Sequence, residues 1–300
     1  MRSLIAGLLL LLGALLVPVT TTAWWLNHSV VPEDGYVETV TPLASDPAIT
    51  AEVEKQLSAA MVNGLNGSGI LDRAPRLRAG VQQLTDRVAK AVVESPSFED
   101  AWVAANRAAH KQLIAVLEND PRAVQSSAND GVDIKIATLT NALRQELEDA
   151  GVPLASKLPD IQATFPVSDA QHLERAQRAY SWLDQWGGVL PFVTAVLIVV
   201  GLVLARRRAR ALGWTAVISL LGLGLTFFAL VAGKQYYLGS VPTTVTQDAA
   251  SSFFDTVTRG LRNDLIWVAI ASVIALVVAV VLGVLATRRS DAPGPPPLAG

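Results

Sequence analysis

Four stretches of this chain contain no Asp, Glu, Lys, Arg or His and are almost wholly apolar. They are "LIAGLLLLLGALLVPVTTTAWW" (4–25), "VLPFVTAVLIVVGLVLA" (189–205), "ALGWTAVISLLGLGLTFFALVAG" (211–233) and "LIWVAIASVIALVVAVVLGVLAT" (265–287). A helix needs about 20 apolar residues to cross the hydrocarbon core of a bilayer. The pattern therefore predicts four transmembrane helices, the second the shortest, with Trp182 and Trp186 placed just before it. The first run has a rival reading. Arg2, an apolar run and small residues ending at Ala23 also describe a cleavable signal peptide. The run is long for such a peptide and no A-x-A precedes Trp24, so an uncleaved anchor is favoured. Either reading exports the residues beyond Trp25.

Between the first two runs the pattern changes to helical periodicity with polar intervals. "DPAITAEVEKQLSAAMVNGL" predicts a helix opened by Asp46 with Pro47 at its first position. "LRAGVQQLTDRVAKAVVES" repeats apolar residues at helical spacing and stops before Pro96. Ser97 with Asp100 matches a capping box for the next helix, "FEDAWVAANRAAHKQLIAVL". "SSANDGVDIKIATL" differs: Asn129-Asp130-Gly131 signals a turn, and Val132, Ile134 and Ile136 alternate as in a strand. "IQATFPV" is a second strand candidate, and "SDAQHLERAQRAYSWLDQW" a helix leading to the second span. The fold class is a mainly α membrane protein with four transmembrane helices. A mostly helical extracytoplasmic domain with a small β-hairpin completes it.

Within the 98–117 helix, placing Trp102 at zero puts the apolar residues, Leu113 among them, in an arc from about −40° to +120°. Asn106 falls at about 40° and His110 at about 80°, inside that arc. Both are expected to be buried, and a buried amide or imidazole costs a few kcal/mol unless hydrogen-bonded. This burial has two readings. In the structural one, Asn106 and His110 satisfy backbone that the helix packs against, with Trp102 as core anchor. In the functional one they line a ligand or metal pocket. "NRAAH" lacks the glutamate of HExxH, and His28, His110 and His172 match no zinc spacing. The structural reading is favoured.

Charge sets the orientation. Arg206, Arg207, Arg208 and Arg210 crowd the loop between the second and third runs, Arg2 precedes the first, and Arg288 and Arg289 follow the fourth. The positive-inside rule places all three clusters in the cytoplasm. The segments are then an outer domain (26–188), a basic inner loop (206–210), an outer loop with a short amphipathic helix (234–264) and a cytoplasmic, Pro/Gly-rich, disordered tail (288–300). The expected location is the cell membrane, multi-pass, with both termini cytoplasmic and the large domain extracytoplasmic. The stretch 25–188 holds 22 acidic and 14 basic residues, in keeping with an outer position. Six of seven tryptophans fall at span ends, where amphipathic rings prefer to sit; Trp102 is the exception. Topology and anionic lipid headgroups suffice to explain the Arg206–Arg210 cluster, with a protein partner as the alternative. Ala275, Ala279 and Gly283 put a small residue at every fourth position of the last run, a helix-packing pattern.

Composition narrows the chemistry. The chain has 300 residues, 51% of them hydrophobic, a net charge of −2 and no cysteine, which excludes disulfides, thiolate metal sites and a cysteine nucleophile. No G-x-S-x-G, SxxK, HExxH, P-loop or dinucleotide fingerprint occurs, so no cofactor, metal or nucleic acid is expected. The spans lack the ionisable groups of a transport pathway.

"GYVETVTPLASDPAI", "FEDAWVAANRAAHKQLIAVL", "DGVDIKI" and "LPDIQATFPV" resemble a family of uncharacterised actinobacterial integral membrane proteins. These have one large extracytoplasmic domain after the first span and three further spans. The resemblance implies location and architecture and supplies no catalytic residues. The expected function is that of a non-enzymatic envelope protein whose outer domain binds, senses or scaffolds a partner in or beside the lipid bilayer. The order of spans is also that of permease-like mechanotransmission or transport-complex subunits, which is the alternative. An extracytoplasmic enzyme of unknown type is the second alternative.

Overall fold

In a computed structural model of the chain, the described residues are 2–67, 78–126, 132–135, 164–167 and 170–290. They are mostly helical and form two units. One comprises Met1–Asn27, Asp184–Gly233 and Gly260–Gly300; the other comprises His28–Leu183 and Lys234–Arg259.

The first unit is built from the apolar runs. Helix α1 (Arg2–Trp25) packs along α7 (Leu190–Leu204). The two approach closely because glycines face the partner's side chains. A Cβ built on Gly13 would lie 2.7 Å from Ile198 Cγ1, and one on Gly201 would lie 2.7 Å from Leu10 Cγ. Thr20 and Thr194 share a hydroxyl–hydroxyl hydrogen bond of 2.7 Å across the same seam. In lipid, close packing and such polar contacts hold helices together, since apolar surface alone gives no preference for protein over acyl chain. Helices α8 (Arg208–Ser240) and α9 (Gln247–Ser290) complete the unit and each contributes residues to the other unit as well. Leu221, Leu225 and Trp267 are about 70% exposed (70%, 69% and 70%). A helix apolar all round with such exposure needs an apolar solvent.

Where four spans are expected, the described residues hold three helices long and apolar enough to cross a membrane, or four if α7 counts as one bent span with the helix before it. With 15 residues, α7 is about 22 Å long, short of the roughly 30 Å core. The turn at 187–189 separates it from α6 (Ala170–Trp186).

In the second unit, a π-helical turn (Leu26–Val30), reaching back to Leu26, leads into α2 (Glu33–Val40), a 3₁₀ turn (Thr41–Ser45) and α3 (Pro47–Gly67). Asp46 opens α3 as expected: its Oδ1 accepts from the Ala48 and Ile49 amides at 2.9 and 3.2 Å. Helices α4 (Arg78–Val93) and α5 (Phe98–Leu117) come next. The capping box at Ser97 does not form. Its backbone (φ −88°, ψ 1°) carries the hydroxyl away from the helix amides, and the Oγ lies 3.4 Å from Ser95 Oγ instead. At the other end of α5, Asn119 turns the chain at φ 57°. The Asp120 amide bonds back to Ala115 and the Asn119 amide to Val116, a glycine-like helix stop made by asparagine.

Strands β1 (Val124–Ser126), β2 (Val132–Lys135) and β3 (Thr164–Val167) pair antiparallel in that order, with Val124 opposite Ile134 and Val132 opposite Val167. This three-stranded patch stands in place of the isolated hairpin. The expected turn at 129–131 lies outside the described residues, as does the helix that "TNALRQELEDAG" (140–151), closed by Gly151, predicts.

The outer loop expected over 234–264 is a correction. Residues 234–240 continue α8 and residues 247–264 begin α9, which leaves only 241–246 between the helices. No separate short amphipathic helix forms among these residues, because polar side chains do not end a helix when its apolar face finds a core. Ala249 is buried with Val40, Leu43 and Ile49, and Phe253, Val257, Tyr36, Val53 and Trp102 pack around them. The core of the second unit thus contains the first turns of a helix that continues as an apolar run.

Candidate functional site

The polar residues of α5 meet α2 and the turn before it. His110 is buried, 4% exposed, and its Nε2–H donates to the Val30 carbonyl at 2.8 Å. Its ring stacks on Tyr36, centroids 4.6 Å apart and planes at 23°. The Tyr36 hydroxyl donates to Asn106 Oδ1 at 3.3 Å, and Asn106 Nδ2 donates to the Trp102 carbonyl at 2.9 Å. Burial pushes the Tyr36 phenol above its usual range, so it stays a neutral donor. Trp102 donates from Nε1 to the Val40 carbonyl at 2.9 Å. Beside this row, Arg107 and Lys111 lie 3.0 and 3.9 Å from Glu33. The partners of the Asn106–His110 pair are the Val30 and Trp102 carbonyls and the ring and hydroxyl of Tyr36. Gly35 belongs to the same joint: a Cβ there would run into the His28 carbonyl.

The helical wheel placed His110 correctly and Leu113 wrongly. Leu113 is 53% exposed, while Ala104 and Ala108, outside the expected arc, are 3% and 0% exposed. Asn106 is only half-buried.

A second polar joint ties α3 to α9. Ser252 Oγ donates to Asp46 Oδ2 at 2.5 Å. Buried Glu52 accepts from the Thr246 amide at 3.0 Å and from Gln56 Nε2 at 2.6 Å. Lys55 Nζ donates to the Thr244 carbonyl at 2.6 Å. The Ser252 hydroxyl is the main influence lowering the Asp46 pKa. For Glu52, burial pushes the pKa upward, but the Gln56 and Thr246 hydrogen bonds outweigh it and the net shift is down. Lys234 and Asp255 form an ion pair at 2.6 Å, beside the Tyr237 and Phe254 rings with centroids 5.6 Å apart. The sequence reading missed Tyr36, Glu52 and Asp255. Only Lys234 and Asp255 had a visible signal, two opposite charges bracketing a segment assigned to a loop.

The remaining expected residues fall in the first unit. Arg206, Arg207, Arg208 and Arg210 are exposed around the start of α8, and the side chains of Arg288 and Arg289 lie outside the described residues. Ala279 is 5% exposed and sits 3.5 Å from a Cβ built on Gly213 of α8. Ala275 is half-buried, and a Cβ on Gly283 would meet nothing within 4 Å. Among the described residues no three His, Asp or Glu side chains gather as a metal site. Comparison with protein-family models, with curated proteins and with solved structures finds no match to this chain.

Proposed function

We propose that the chain is a non-enzymatic cell-envelope membrane protein whose second unit lies outside the cytoplasm. There it binds, senses or scaffolds a partner and is mechanically joined to the membrane. The observation that carries this reading is the shared helix α9. Residues Ala249, Phe253 and Val257 belong to the core around Val40 and Leu43, and the same helix continues through an apolar run to Ser290. A domain that only needs an anchor can hang from a linker. A domain whose core includes the first turns of a membrane-length helix continues into that helix without a linker.

The same observation favours, as second reading, a permease-like mechanotransmission or transport-complex subunit. The arginine clusters support a cytoplasmic 206–210 loop and cytoplasmic termini under either reading. The resemblance to uncharacterised actinobacterial membrane proteins agrees with this location.

The test is photo-crosslinking in living cells from the exposed positions Leu84 and Leu113, with the captured proteins identified by mass spectrometry. Reproducible capture of one envelope protein supports a binding or scaffolding role. Capture of a component of an ATP-driven complex selects the second reading. No capture above a crosslinker-free control, together with turnover of an envelope substrate by the purified chain, overturns both.

A further inference from the structure

The first unit is basic: it holds eight arginines and three aspartates. Half of those arginines lie within five residues, 206–210, and no acidic residue occurs between Asp184 and Asp248 or before Glu33. Among the described residues no ion pair or hydrogen bond holds the side chains of Arg206, Arg207 or Arg210. These three line a groove of about 410 Å³ whose remaining lining is mostly apolar, Gly7 and Leu10 of α1 included, with Ser3 and Thr215 as its polar members. Trp214, 65% exposed, stands at the same groove. Gly7 leaves it open, since a Cβ there would meet nothing within 4 Å.

We infer that this groove holds one anionic phospholipid, its phosphate on the Arg206, Arg207 and Arg210 guanidiniums and an acyl chain along the α1 wall. Positioning alone needs positive charge near the span ends but no cavity. A soluble anion needs the charge but no apolar wall. A guanidinium grips a phosphate through paired N–H donors. The adjoining apolar wall suits the hydrocarbon attached to a lipid phosphate, and an exposed indole is at home at that depth. The inference rests on the reading that this end of the unit meets the inner leaflet.

The test uses the full chain in neutral detergent, with bound lipid counted by native mass spectrometry. Phosphatidylglycerol and phosphatidylcholine are titrated against each other. The wild type is expected to retain one phosphatidylglycerol in preference. Each arginine changed to glutamine should cut that preference about fivefold, and the triple variant should show none. Gly7→Phe keeps every charge and fills the groove, so it should lose the bound lipid while remaining monodisperse. Glycerol 3-phosphate should not displace the lipid. Equal retention of both lipids, an unchanged triple variant, retention of the lipid by Gly7→Phe, or displacement by glycerol 3-phosphate would each overturn the assignment. Membrane fractionation of the same variants separates this outcome from failure of the membrane reading, which would show as wild-type chain in the soluble fraction.

Discussion

Removing the His110 ring gives the sharpest test of whether the α5 polar pair is structural. His110→Ala leaves the Val30 carbonyl without its 2.8 Å donor and strips the stack from Tyr36. An orphaned buried carbonyl costs about 1–3 kcal/mol, at the lower end here because Val30 is half-buried and water can reach it. The ring stack adds about 0.5–1.5 kcal/mol. Together the loss is about 1.5–2.5 kcal/mol, or roughly 3–10 °C in Tm for a unit of this size. His110→Phe retains the ring contact and should recover about 1 kcal/mol of the loss. The assay is thermal unfolding of the full chain in detergent, monitored by tryptophan fluorescence. The isolated stretch 26–188 is unsuitable because it lacks Ala249 and Phe253. A His110→Ala chain that melts with the wild type yet loses crosslinking to its partner would refute the structural reading and make His110 part of a binding site.

Three further outcomes are expected. Because Asp46 and Glu52 have lowered pKa values in the fold, their contribution is present above the ordinary carboxylate range. It is lost as pH falls through their lowered values, so thermal stability should drop below about pH 4, and Asp46→Asn with Glu52→Gln should flatten that drop. Gly201→Leu forces a side chain into Leu10, and Ala279→Leu forces one against Gly213. Each should cost about 1–3 kcal/mol and lower the monodisperse yield without changing oligomeric size. A change confined to oligomeric size would instead mark a seam between copies. Cysteines placed at Ser126 and Ser251 should react with an impermeant thiol reagent in intact cells and one at Ser290 should not; the reverse pattern would invert the orientation.

The apolar runs were legible because a charge-free stretch of about 20 residues has few alternatives to a membrane helix. Their ends were not. Lys234–Ser240 and Gln247–Arg259 look like a polar loop. Contact of Ala249, Phe253 and Val257 with Val40, Leu43 and Ile49, some 200 positions earlier, holds the second stretch helical, and the Lys234–Asp255 ion pair and the Tyr237–Phe254 ring contact tie the first to it. Likewise, the burial of His110 came from its angle on α5, but its partners Tyr36 and Val30 lie more than 70 positions away and carry no local signature. Ser97 failed as a cap because its backbone took a near-helical angle in the tight turn between α4 and α5.

The central claim is that the Gln247–Arg259 part of α9 belongs to the second unit's core. Hydrogen exchange of the full chain in lipid nanodiscs, wild type against Phe253→Ala, tests this most directly. The variant removes a ring packed on Val40, Leu43 and Ile49. Faster exchange is predicted jointly in α2, the Thr41–Ser45 turn, the first turns of α3 and α9 from Gln247 to Arg259, because these open as one unit. Faster exchange confined to the α9 residues around 253, with α2 and α3 unchanged, would contradict the account and leave the unit merely tethered.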